Sequence, residues 1–124
     1  AACFAEGVTV IQDAEELRVK ESDRIWATVD GLSRMGASIR SGYQGTPVSN
    51  DFDQRDGMII EGSGSLKAGN CLSHGDHRIA MTMGVAGLLA EGQTIVNDAE
   101  ASEISYPGFW EDAHQLGQGD RIGN

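Results

Sequence analysis

A short motif that occurs twice, each time at the start of a predicted helix, constrains the fold more than any other feature of this sequence. Asp23-Arg24-Ile25 opens the first helix and His77-Arg78-Ile79 opens the second. Each helix ends at a glycine, Gly36 or Gly92, and a small polar residue followed by isoleucine comes two residues later. The repeat predicts two copies of one helix-plus-strand unit. Three matched positions in each copy leave chance as the alternative.

Hydrophobic periodicity places seven elements along the chain, in the order strand, helix, strand, strand, helix, strand, helix. This mixture predicts an α/β (α+β) fold. The second helix is apolar on most sides, which predicts that it is buried. The predicted strands are 8–12, 37–43, 58–61 and 94–96; the helices are 22–35, 76–91 and one that opens at 105; the loops are 13–21 and 62–75; 44–57 is an exposed turn or hairpin tip; 117–124 is a flexible tail.

Length and charge limit the class of protein. The 124 residues predict a single domain or part of a larger one. A net charge of −10 repels phosphate backbones, so nucleic acid is not an expected partner. No apolar run approaches the roughly 20 residues of a membrane span, and the first residues lack the features of a signal peptide. We therefore expect a cytoplasmic protein without a membrane partner. Because the sequence does not begin with methionine, we also expect a processed product or a fragment.

The few cations are unevenly distributed, and two of them occupy unusual positions. Arg24 and Arg78 both fall in the first turn of a predicted helix, where a positive charge opposes the helix macrodipole. An anion shared between the helix terminus and the guanidinium removes this conflict. Both arginines are therefore candidates for binding a carboxylate or a phosphate. Pairing with a nearby acid, such as Asp23 or Asp76, explains them equally well from spacing alone.

Glu21 lies between two cations, Lys20 and Arg24. A carboxylate beside a bound anion can serve as a general acid or base. The commoner role of such a residue is to interact with the helix dipole, and that alternative stays open.

Histidine and cysteine provide no pattern typical of a metal site. His74 and His77 are three residues apart without an evident third ligand, so no metal is predicted. Asp76, between them, is expected to cap the second helix. Cys3 and Cys71 are expected to be ordinary thiols, with a disulfide as the alternative.

The block Arg-Val-Lys-Glu-Ser-Asp-Arg-Ile at 18–25 resembles the 5-enolpyruvylshikimate-3-phosphate synthase family. The resemblance continues at 32–37, 76–81 and 105–109, in the order and spacing of that family. It implies part of the enolpyruvyl transferase fold, with repeated strand-helix units and buried helices under mixed sheets. The chain, 1–124, would be a single incomplete domain from the C-terminal part of a larger enzyme.

The resemblance also implies a reaction. The family transfers the enolpyruvyl group of phosphoenolpyruvate to the 5-hydroxyl of shikimate-3-phosphate and releases phosphate, a step of aromatic amino-acid biosynthesis. Its active site lies between two domains, so this chain would supply one wall. The implied partners are the two small-molecule substrates and a complementary N-terminal portion, on the same polypeptide or on a separate chain. No cofactor and no metal are implied.

Five residues match functional positions of the family. Arg24 and Arg78 match the arginines that bind the carboxylate of phosphoenolpyruvate. Lys20 matches a lysine that contacts shikimate-3-phosphate, and Glu21 matches a glutamate implicated in proton transfer. His77 matches a histidine beside the phosphoenolpyruvate site.

Two positions depart from the family pattern. Ile104 stands where many members have a lysine, and Glu16 stands where they have a substrate-binding asparagine. Three other hypotheses stay open: an inactive folded fragment, the sister UDP-N-acetylglucosamine enolpyruvyl transferase, and a binding module unrelated to catalysis. The Lys-Glu-Ser-Asp-Arg block at 20–24 argues against the sister family, because it suits a shikimate-phosphate site.

Overall fold

Two small sheets and three α-helices form the part of the chain that the computed structural model describes, which is residues 1–42 and 57–119, with side chains to residue 117. Every predicted strand and helix is present. The elements are β1 Val8–Ile11, α1 Arg24–Arg34, β2 Ser38–Ser41, β3 Met58–Glu61, β4 Asn70–Leu72, α2 His77–Leu89, β5 Ile95–Asn97 and α3 Phe109–Gly119, with 3₁₀ helices at Glu15–Val19 and Ala99–Ile104.

The two sheets differ in strand direction. β3 lies between β1 and β2 and pairs antiparallel with both, so that Ile60 faces Thr9 on one side and Ile39 on the other. β4 and β5 pair in parallel, with Cys71 opposite Val96. The combination confirms the predicted mixed α/β class.

Helix α1 begins and ends where its sequence predicts. The carboxylate of Asp23 accepts a hydrogen bond from the backbone N–H of Trp26 at 3.0 Å, which is an N-cap. Ile25 and Met35 are fully buried. Gly36 follows at φ 81°, a backbone conformation that glycine adopts at helix ends without steric cost.

Helix α2 is buried along one face. Ile79 and Met83 lie in the core. At Gly84, a β-carbon would lie 2.9 Å from the rings of both Phe109 and Trp110, so this glycine permits the close approach of α3. The opposite face is open, and Val85 is 50% exposed. Within the described residues, the predicted burial of α2 is therefore confirmed for one face, whereas the face that carries Val85 stays open.

Several boundaries and short elements differ from the prediction. The predicted loop 13–21 contains a 3₁₀ helix, and the predicted loop 62–75 contains β4. Strands of three residues such as β4 have too little periodicity to be recognised locally. α3 begins at Phe109 and continues through Gly119, so the first residues of the predicted tail are helical. The predicted hairpin tip, apart from Gly57, and the end of the tail lie outside the described residues.

Other sequence expectations concern thiols, the last helix and the membrane. Cys3 and Cys71 are both free and buried. Phe109 and Ala113 form the buried side of α3, whereas Leu116 is 72% exposed. Among the described residues, no helix is long and apolar enough to cross a membrane.

Candidate functional site

The starts of α1 and α2 meet at one buried carboxylate, that of Asp76. Its Oδ2 accepts hydrogen bonds from Arg24 Nε and from the Ser22 hydroxyl, each at 2.8 Å. Its Oδ1 accepts from the backbone N–H of Arg78 at 2.9 Å and from Arg24 Nη2 at 3.3 Å. The Asp76 side chain has no exposed surface. One carboxylate therefore caps α2 and binds the arginine that opens α1.

The ionised state of Asp76 is stabilised despite its burial. Burial raises the pKa of the carboxyl group, because a charge loses hydration in the interior. The hydrogen bonds from Arg24, Ser22 and the Arg78 amide outweigh this effect, so the pKa of Asp76 lies below its ordinary value. The hydrogen bond to Asp76 in turn raises the pKa of Arg24, against the opposing effect of burial. Asp76 and Arg24 therefore form a charged pair.

Glu21 contacts the same guanidinium. Its Oε2 lies 2.6 Å from Arg24 Nη2. The Arg24 side chain is 12% exposed, whereas that of Glu21 is 53% exposed. Glu21 therefore lies at the solvent side of this arginine and Asp76 at its protein side, so the predicted proximity of Glu21 and Arg24 is present in the structure.

Arg78 and His77 follow Asp76 in the first turn of α2. Within residues 1–42 and 57–119, no carboxylate forms an ion pair with Arg78, whose side chain is exposed. Nδ1 of His77 is buried without a hydrogen-bond partner in the same part of the chain. A cation and an unsatisfied ring nitrogen thus lie beside the Arg24–Asp76 pair.

Lys20 is only loosely attached to this group. It lies between the first 3₁₀ helix and α1, and its Nζ is 3.8 Å from Glu16 Oε2. Both side chains are exposed, so this pair contributes little to stability. Lys20 is next to Glu21 in the chain, but it forms no recorded contact with Arg24 or Asp76.

The other helix cap serves a different cation. The carboxylate of Asp23 pairs with Arg18 Nη1 at 3.1 Å, in addition to capping α1. The two acids considered as partners for the arginines therefore have separate roles, because Asp76 binds Arg24 and Asp23 binds Arg18.

Sequence reasoning did not find the full role of Asp76. It predicted a cap and an optional arginine partner, but not the link between two helices 52 residues apart in sequence. It also missed Ser22, whose hydroxyl donates to the same carboxylate. The only local signal was the aspartate that precedes each helix.

The open face of α2 forms one side of an apolar groove of about 440 Å³. Phe4, Leu32 and Met81 are among its lining residues, together with Val85 and Leu89. Arg78 also lines this groove. The exposed arginine and the exposed apolar surface therefore share one face of the helix.

Comparison with known proteins identifies the family. The family model described as EPSP synthase (3-phosphoshikimate 1-carboxyvinyltransferase) matches residues 1–113. The chain belongs to the EPSP synthase family. The resemblance inferred from the sequence blocks is thereby confirmed.

Curated relatives of the EPSP synthase family match most of the chain. A 3-phosphoshikimate 1-carboxyvinyltransferase from Herpetosiphon aurantiacus is 50% identical over 116 residues, which are 94% of this chain and 24% of the relative. A relative of the same name from a Thermoanaerobacter species is 53% identical over 110 residues, or 89% of this chain and 23% of the relative. The chain therefore spans about a quarter of the length of these relatives.

Solved structures of EPSP synthases share the fold. An EPSP synthase from Acinetobacter baumannii superposes with a TM-score of 0.75 at 41% identity, covering 92% of this chain and 24% of that one. The expected enolpyruvyl transferase fold is thereby confirmed, and the described residues correspond to one part of it.

Proposed function

We propose that this chain forms one wall of the active site of a 3-phosphoshikimate 1-carboxyvinyltransferase. The reaction transfers the enolpyruvyl group of phosphoenolpyruvate to the 5-hydroxyl of shikimate-3-phosphate and releases phosphate. The observation that carries the proposal is the cluster at the starts of α1 and α2. There, the guanidinium of Arg24 is held by Asp76, and the exposed Arg78 forms no ion pair within residues 1–42 and 57–117; the same carboxylate joins the two helix starts.

Such a cluster suits two substrates that are both anions. Arg24 and Arg78 bind the carboxylate of phosphoenolpyruvate, because the N–H groups of a guanidinium form charge-assisted hydrogen bonds with a carboxylate. His77 lies beside the phosphoenolpyruvate site. Lys20 contacts shikimate-3-phosphate, and its loose pairing with Glu16 leaves it available for a ligand.

Glu21 moves the proton. A proton must reach the methylene carbon of phosphoenolpyruvate while the hydroxyl attacks the neighbouring carbon, and it must later leave that carbon. Glu21 is exposed and contacts Arg24, which supports a role close to the substrate carboxylate that Arg24 would bind. General acid–base catalysis of this kind contributes about 100- to 10,000-fold in rate.

The chain works with a complementary portion of the synthase, on the same polypeptide or on another. Its length is about a quarter of that of its relatives. The apolar groove on α2 is also a contiguous exposed surface rather than a single exposed side chain, and such surfaces mark interaction sites. We propose that the complementary portion covers this groove. The groove contains Arg78, so covering it also brings this arginine to an interdomain boundary.

A chimera tests the function. The matching segment of the Herpetosiphon aurantiacus relative is replaced by this chain, and phosphate release from phosphoenolpyruvate is measured with and without shikimate-3-phosphate. The unmodified relative is the positive control. We expect turnover that depends on both substrates, and a folded chimera without turnover would refute the proposal. The 124-residue chain alone is expected to be inactive, because the rest of the site is then absent.

Glu21→Gln in this chimera tests the proton-transfer role. The substitution keeps the shape of the side chain and removes its ability to carry a proton, so we expect turnover to fall roughly 100-fold or more. Substrate affinities should change much less, because the binding contacts remain. Exchange of solvent deuterium into the methylene group of phosphoenolpyruvate is followed in parallel, and wild-type exchange in the variant would exclude the role.

Val85→Asp tests the covered groove. Val85 is half-exposed on the open face of α2, and a carboxylate there would be buried without a partner if another part of the synthase packs on it. We expect the chimera to lose folded yield and thermal stability. The matched control is Leu116→Asp, which places the same charge on an exposed position of α3. Equal tolerance of both substitutions would contradict the packing.

A further inference from the structure

Asp76 makes more contacts than a helix cap requires. A cap needs one acceptor for a free N–H in the first turn, and Oδ1 provides it to the Arg78 amide. Oδ2 is not needed for that purpose, yet it accepts from Arg24 Nε and from Ser22. The carboxylate is also fully buried, which costs free energy unless its charge is matched.

The contacts use one specific edge of the Arg24 guanidinium. Its five N–H groups are distributed as one on Nε and two on each terminal nitrogen. Asp76 takes Nε and one N–H of Nη2, and Glu21 takes the other N–H of Nη2. Within the described residues, no partner is recorded for Nη1. The two N–H groups of Nη1 are therefore left for a ligand.

We propose that Asp76 is a positioning residue for the reaction: by binding the Nε–Nη2 edge of Arg24, it orients the N–H groups of Nη1 toward the carboxylate of the substrate. The inference rests on the proposed function. A guanidinium on a flexible side chain would otherwise lose conformational entropy each time it binds an anion. The contact between Asp76 and the Arg78 amide also ties the orientation of Arg24 to the start of α2, which carries the second arginine.

The variant Asp76→Asn separates positioning from capping. Asparagine is as good an N-cap as aspartate, so α2 keeps its first turn. Asparagine has no charge and one acceptor oxygen fewer, so it cannot bind both Nε and Nη2 of Arg24 as the carboxylate does. In the active chimera, we expect the KM for phosphoenolpyruvate to rise about 10- to 100-fold, as for other misplaced substrate-binding groups. The KM for shikimate-3-phosphate should change much less.

A double-mutant cycle with Arg24→Lys distinguishes positioning from a general loss of structure. If Asp76 acts through Arg24, then Asp76→Asn adds little to the KM for phosphoenolpyruvate once Arg24 is a lysine. Independent, multiplying effects in the double variant would overturn the proposal. The matched control is Asp23→Asn, which alters the other helix cap but contacts neither Arg24 nor Arg78; an equal rise in KM there would also overturn it.

A second measurement does not depend on activity. In the ¹⁵N-arginine-labelled chimera, the Nε–H of Arg24 is assigned by comparison with Arg24→Lys. We expect this proton to exchange slowly with water when Asp76 is present and rapidly in Asp76→Asn. Unchanged exchange would overturn the positioning role even in an inactive chimera. An inactive chimera with Asp76-dependent protection would instead place the failure in the proposed function.

Discussion

Each of the two repeated helix starts carries an arginine, but the two arginines lie in different environments. At the start of α1, Arg24 is nearly buried and bound by two carboxylates. At the start of α2, Arg78 is exposed, and among the described residues a carboxylate binds its backbone N–H but not its side chain. The cause is the register of each motif relative to its cap. Arg24 directly follows Asp23, whereas Arg78 comes two residues after Asp76.

One position along a helix turns a side chain by about 100°. The two arginines therefore leave their helices in different directions although their sequence motifs match. A repeated motif can therefore supply one cation bound by carboxylates and one exposed cation. The repeated strands differ as well, because β2 joins an antiparallel sheet and β5 a parallel pair.

The largest expected difference between the two arginines is in stability. We expect Arg24→Ala to lower the free energy of unfolding by about 3–5 kcal/mol, because Asp76 then stays buried without its counter-charge. Arg78→Ala should change it much less, because no buried carboxylate among the described residues depends on the Arg78 side chain for its counter-charge. Urea titration of the two chimeras measures both values. Similar losses would show that the different environments of the two arginines do not affect the free energy of unfolding.

Lysine substitutions distinguish the two arginines in substrate kinetics. Arg78→Lys keeps the charge but loses the planar fork, so we expect weaker use of phosphoenolpyruvate by about 1.5–3 kcal/mol, typical of a hydrogen bond to a charged group. Binding of shikimate-3-phosphate should suffer less. Arg24→Lys should weaken phosphoenolpyruvate binding and also lower stability, because lysine cannot bind Asp76 side-on. Steady-state kinetics with each substrate varied, combined with thermal unfolding, test this; equal effects of Arg78→Lys on both substrates would contradict its assignment.

Acid should remove the stabilisation at α1 selectively. The pKa of Asp76 is lower in the folded protein than its ordinary value, so the ionised group stabilises the fold above about pH 4 and loses this effect as the pH falls further. We expect Asp76→Asn to show a smaller fall in Tm between about pH 5 and pH 3 than the parent chimera. Arg78→Ala should retain the full fall. An unchanged slope in Asp76→Asn would mean that other carboxylates cause the acid sensitivity.

The smallest expected effect concerns the other cap. Asp23→Ala removes the hydrogen bond to the Trp26 amide, which should cost about 1 kcal/mol, and the pair with Arg18 adds at most about 1 kcal/mol. The KM for phosphoenolpyruvate should stay within error, because Asp23 contacts neither candidate arginine. Thermal unfolding and kinetics of this variant provide the check. A raised KM would mean that both caps influence the site.

The local signals in the sequence were sufficient for the main elements. Capping residues and a terminal glycine marked α1 and the start of α2, and β-branched runs marked β1 and β3. They failed for β4 and for both 3₁₀ helices, because these elements are short and depend on partners distant in sequence. β4, for example, exists through its pairing with β5, 25 residues later.

The charged residues show the same division. The sequence alone determined that Arg24 and Arg78 lie at helix starts and that Glu21 is close to Arg24. It also placed all three residues in sequence blocks that match the family. It left open whether an acid or a ligand pairs with each arginine. Only the tertiary structure decided that Asp76 pairs with Arg24, because this contact spans 52 residues and forms only when α1 and α2 pack together. Periodicity describes one helix at a time, whereas a buried charge chooses its partner from the neighbours that packing supplies.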